Sequence, residues 1–133
     1  MTQDGMVQKL KTALVFSILV NIVYGIGFFI TPWILRDMAG GNPVELGWIR
    51  WSGGVLLALA VGGIQTYQKP AGQRAMVTTL TLAAILTSIG LLYPLLFEPY
   101  SVHAWFIAMP CAVTFALFVI MMRGQKAAKE ILK

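Results

Sequence analysis

Hydrophobic positions along the chain gather into four long runs, approximately Thr12–Leu35, Pro43–Tyr67, Ala75–Phe97 and Ser101–Met122. A helix rising 1.5 Å per residue needs about 20 apolar residues to cross a hydrocarbon layer about 30 Å thick, and each run meets that length. The segments between them, RDMAGGN at 36–42 and QKPAGQR at 68–74, are short and rich in turn formers. Consecutive helices are therefore predicted to be antiparallel neighbours. The pattern predicts an all-α fold: one integral membrane domain over 1–133, an up-down four-helix bundle with no separate soluble domain.

Within the runs, small and polar residues repeat at helical spacing. The second run starts on a helix-opening signal: Asn42 as N-cap, Pro43 at the first helical position and Glu45 placed to complete a capping box. Gly54, Ala58 and Gly62 follow four residues apart, the small-xxx-small spacing that lets helix backbones approach in lipid. Arg50 lies one step earlier on that ladder, which predicts a stem pointing toward the protein. In the first run Ser17, Asn21 and Gly25 form a seam suited to the glycine ladder, with Asn21 predicted to bond across helices. Pro32 is expected to bend or end that span. Span 3 has Thr79, Ala83 and Thr87 on one ladder, with hydroxyls that can bond their own backbone. Span 4 has Ala104, Ala108, Ala112 and Ala116, which suit either the bundle interior or a partner, and Pro110, a predicted kink. An echo relates IGFFITPWILRD at 26–37 to IGLLYPLLFE at 89–98.

Charge sets the orientation. Lys9, Lys11, Lys69, Arg74, Arg123, Lys126, Lys129 and Lys133 fall on the side of both termini, and Arg36 and Arg50 on the other. Eight against two predicts a multi-pass protein of the inner (plasma) membrane with both termini in the cytoplasm. Trp33, Trp48, Trp51 and Trp105 all lie on the opposite side with Tyr93 and Tyr100, a one-sided aromatic belt. The tail RGQKAAKEILK reads either as a basic amphipathic turn with Ile131 and Leu132 dipping into lipid or as a solvated helix end.

Composition narrows the chemistry. Hydrophobic residues are 58% of the 133, charged residues 11%, and mean hydropathy is +0.77, values of a polytopic membrane protein. The net charge of +5 resides beside apolar runs, so it signals topology and anionic lipid rather than nucleic acid. One cysteine, Cys111, excludes an internal disulfide, and one histidine, His103, excludes a bis-histidine haem within the chain. No nucleotide, metal or nucleophile motif is present, so no catalytic residue, metal or cofactor is expected. A proton-coupled exporter needs a carboxylate near mid-membrane, and no run has one away from its ends. What remains is a polar group predicted at the outer helix ends: Arg36, Asp37, Glu45, Arg50, Glu98 and His103. Arg50 is expected to pair with Glu98, or with Asp37, and to form with His103 and Tyr93 a site for a lipid or quinone-like head.

The run from Gly25 to Gly63 resembles the first hairpin of small bacterial four-helix proteins of the DoxX-like type. The resemblance is carried by Gly27, Pro32, Gly40, Gly41, Arg50, Gly53 and Gly54. It implies a small membrane partner of other proteins, including quinone-linked oxidoreductases, without activity of its own. Two functions are thus expected from the sequence: a non-enzymatic accessory or scaffold subunit, with other membrane subunits or itself as partner, or a lipid- or quinone-like ligand site around Arg50.

Overall fold

A computed structural model describes residues 2–41 and 46–133. Asn42, Pro43 and Glu45, the expected cap of the second span, lie outside the described residues. Among the described residues five helices follow in order: α1 Gln3–Ile30, α2 Pro32–Ala39, α3 Leu46–Gln68, α4 Arg74–Phe97 and α5 Ala104–Ala127. Four of them, all but α2, are long and apolar enough to cross a membrane, and the chain is a multi-pass helical membrane protein.

Helix ends follow local chemistry. α1 starts well before the expected Thr12, because the Thr2 hydroxyl accepts from the Gly5 N–H at 3.3 Å and Asp4 sits in the first turn. Leu10, Ala13 and Leu14 thereby enter the core. Its far end stops at Ile30, since Pro32 cannot donate to the ladder, and Pro32 then opens α2 at a position where a missing N–H is harmless. α2 closes on Gly40 and Gly41, whose φ of 130° and 70° suit glycine. Pro94 stays inside α4, so the echo between 26–37 and 89–98 does not become a structural repeat.

Packing is antiparallel throughout. Gly25 meets Leu57 and Gly53 meets the Phe29 backbone, joining α1 to α3; Gly124 meets Ala13, joining α5 to α1. α4 and α5 are clasped in two places. The Ser88 hydroxyl donates to the Cys111 carbonyl at 3.1 Å while the Cys111 thiol donates to the Ser88 carbonyl at 3.4 Å. Near the termini the Gln125 amide donates to the Thr78 hydroxyl at 2.8 Å and accepts from Thr81 at 3.4 Å. Cys111 is buried within the Ser88 clasp. Maleimide labelling should therefore be slow in the folded protein and rapid after denaturation; rapid labelling of folded protein would contradict the clasp.

The structure relocates two expected contacts and places a third face that the sequence left open. The seam of α3 is Gly53, Ala60 and Gly63, all buried, while Ala58 is exposed, Gly54 touches only the Phe29 ring, and Gly62 faces Met76. Asn21 is buried but donates within its own helix, to the Ser17 carbonyl at 2.8 Å, instead of across helices. On α5 the buried face is Ile107, Cys111, Thr114, Leu117 and Met121, so Ala104, Ala112 and Ala116 turn outward and Ala108 is intermediate.

The tail also differs from both sequence readings. Ala128 and Leu132 are 0% and 2% exposed and pack with Leu10, Val77 and Met121 in the core. The Gly72 N–H donates to the Ile131 carbonyl at 3.2 Å, tying the tail to the α3–α4 loop. The tail thus caps the bundle at the end holding both termini.

Candidate functional site

The α1–α3 and α4–α5 pairs join through α1 and α5, and α3 approaches α4 where Gly62 and Gly63 meet Met76 and Leu80. Farther from the termini the facing side chains, Leu56 and Leu59 against Ala83 and Thr87, line a cavity of about 360 Å³. Its back wall is α1, which contributes Asn21, Tyr24 and Phe28, and α5, which contributes Phe106 and Pro110. The lining is mostly apolar. Asn21 uses its amide N–H on Ser17, leaving its carbonyl as an acceptor, and the Tyr24 phenol adds a donor.

A second cavity of about 300 Å³ sits at the far end, nearer the membrane surface, and shares Phe28, Val102 and Phe106 with the first. It is lined by Leu35, Arg36 and Ala39 of α2 and by Trp48, Ile49 and Ser52 of α3. α2 makes this possible. Pro32, Arg36 and Ala39 recur at spacings of four and three, so they share one helical face, and Pro32 and Ala39 are buried. Arg36 therefore enters the cavity wall from a helix anchored on both sides of it. The Ala39 carbonyl accepts from the His103 N–H at 2.8 Å, which fixes the end of α2 to the start of α5. The Arg36 guanidinium bonds Asp37 through Nε at 3.0 Å and an η nitrogen at 2.9 Å. Its other N–H groups remain for a polar guest.

The cluster expected around Arg50 is not assembled into one site. Arg50 is exposed on α3 and forms no ion pair among the described residues. Glu98 is the exposed C-cap of α4, and Tyr93 is exposed with its ring 5.4 Å from that of Phe97. His103 is the exposed N-cap of α5 and contributes its backbone. None of the four lines either cavity. The physical reason is position along α3. Arg50 precedes Gly53 by three residues at the rim of the α1–α3 contact, where the bundle has ended and a long side chain extends outward. The expected Arg50–Glu98 pair is replaced by the local Arg36–Asp37 pair.

Tyr24, Ser52, Thr87 and Phe106 were not singled out as site residues from sequence, and Arg36 was named in the outer polar group without a ligand role. The signal for Arg36 was present: once Pro32 is taken as the first residue of a new short helix, the 32–36–39 spacing places Arg36 inward. The tryptophans lie as expected at one end, in α2 and at the starts of α3 and α5, with Trp48 and Trp51 edge to face at 6.1 Å. Among the described residues no group of three His, Cys, Asp or Glu side chains is placed to hold a metal ion. No protein-family model, curated protein or solved structure matches this chain.

Proposed function

We propose that this is a non-enzymatic protein of the bacterial inner membrane, with cytoplasmic termini, that holds one amphiphilic molecule, lipid or quinone-like, between α3 and α4. The observation that carries the reading is the pair of adjoining, mainly apolar cavities, the far-end one with Arg36 and Ser52 in its lining. Arg36 and Ser52 meet the head, and Trp48 packs beside it at the depth where indoles favour the interface. The chain of the guest passes Phe28 and Phe106 into the central cavity. Because Arg36 is already paired with Asp37, the pair together favours a head that accepts hydrogen bonds without carrying a large net charge.

Thr87→Phe tests this from the exposed side of α4, where added bulk enters the cleft without disturbing the core. Lipid extracts of the purified variant should contain much less of the molecule that accompanies the wild type, and Arg36→Gln should lower its amount as well. Unchanged content in both variants would contradict the reading.

A second reading, the accessory subunit, is supported by a separate observation: Ala104, Ala112 and Ala116 form a small-residue face that the chain itself leaves exposed. Close packing of another helix there is physically allowed. Bulky substitution at Ala112 should dissociate a partner or a second copy if that reading holds, and should leave assembly size unchanged if it does not.

A further inference from the structure

At the end holding the termini, the start of α4, the last turns of α5 and the tail enclose a cleft of about 230 Å³. Its lining is Arg74, Met122, Gln125, Lys126, Lys129 and Leu132. Three of the six are cations and none is a carboxylate. Arg74, Lys126 and Lys129 are in no ion pair among the described residues. Glu130, the acidic residue next to them in sequence, does not line the cleft. Its carboxylate bonds the Lys133 ammonium, and that bond, with the charges of Lys133 and Lys129, holds it below the usual carboxylate range. Gln125 is held by its bond to the Thr78 hydroxyl. Met122 and Leu132 give the cleft an apolar floor.

Three cations that line one cleft, none of them in an ion pair among the described residues, repel one another, and an anion that sits among them relieves that repulsion. The position argues for its source. Arg74 begins a membrane-crossing helix and Lys126 ends another, so the cleft lies at the level of lipid headgroups. We propose that this cleft binds the phosphate of an anionic lipid headgroup, with Arg74, Lys126 and Lys129 as its ligands and Met122 and Leu132 against the glycerol and first acyl carbons. The site is at the opposite end of the bundle from the Arg36 cavity and stands independently of it.

The test is a titration of delipidated protein in neutral detergent with phosphatidylglycerol, phosphatidylcholine or inorganic phosphate, with bound adducts counted by native mass spectrometry. Phosphatidylglycerol should bind in preference to phosphatidylcholine, and inorganic phosphate should fail to displace it at equal concentration. The double variant Lys126→Gln/Lys129→Gln should bind phosphatidylglycerol about tenfold more weakly or worse. Lys9→Gln/Lys69→Gln removes the same charge outside the cleft and should retain the affinity. Equal loss in both double variants would reduce the effect to overall charge and overturn the proposal. Displacement by inorganic phosphate at equal concentration would overturn the lipid as its source.

Discussion

Gly53→Ala is expected to lower the unfolding midpoint of the protein more than any other single-methyl addition in the α1–α3 pair, while Gly54→Ala leaves it unchanged or raises it. A Cβ at Gly53 would lie 2.5 Å from the Phe29 nitrogen and 2.9 Å from the Gly25 carbonyl oxygen. Both are backbone atoms of a packed helix and cannot swing aside, so the helices must separate. Overpacking of this kind costs about 1 to 3 kcal/mol, and a backbone obstacle places the change at the upper end. A Cβ at Gly54 meets only the Phe29 ring at 3.7 Å, an ordinary contact. There the helix gains up to about 1 kcal/mol from replacing glycine. Two adjacent residues thus differ in sign. Thermal unfolding in mild detergent at a fixed scan rate reads the difference, and equal midpoints for the two variants would show that the close approach is misplaced.

Leu132→Ala is the second large effect. The side chain is 2% exposed and belongs to the core formed by Leu10, Leu14, Val77, Leu80 and Met121. Removing it leaves a cavity at the end of the bundle, where the chain meets water, at a cost of about 2 to 5 kcal/mol. The loss should also free the tail, since the Ile131 carbonyl then holds the α3–α4 loop without the anchor beside it. Protease cleavage after Lys126 or Lys129 should accelerate in parallel with the fall in unfolding midpoint. If Leu132 instead lay in lipid, the substitution would change membrane affinity slightly and stability little.

Both predictions show where the sequence was readable. The four crossings were legible because each is apolar all round, but that same property hides which face is inward. With apolar residues on every side, Gly53 and Gly54 look alike, and so do the Ala104 ladder and the Ile107–Cys111–Thr114 face that packs. Periodicity of small residues selects a spacing, and the tertiary contact selects the phase. Asn21 was legible as a buried polar residue, and its bond to Ser17 went unseen because a side chain four residues along a helix can satisfy itself locally. The tail was misplaced because Leu132 is embedded among lysines, and a hydrophobic residue in a basic segment carries no signal of the groove it fills. The candidate site lies at Arg36 where Arg50 was expected. Both arginines lie near one membrane face, and only the restart of the helix at Pro32 turns one of them into a cavity wall.

The proposed function rests on the gap between α3 and α4. Close packing near the termini, through Gly62 and Gly63, and separation farther along leave a cleft that opens toward lipid on a rigid frame. The frame is held by the Ser88–Cys111 and Gln125–Thr78 clasps on one side and by the Gly53 contact on the other. The cavity is thus formed by the chain alone, and the proposed amphiphile would enter without ordering the bundle.

The most direct measurement is native mass spectrometry of the protein extracted gently from its own membrane, wild type beside Thr87→Phe. The wild type should carry a single defined amphiphile per chain that resists mild activation and is absent from Thr87→Phe. A wild-type chain that loses all non-covalent mass as readily as the variant, or carries the same adducts, would contradict a ligand between α3 and α4.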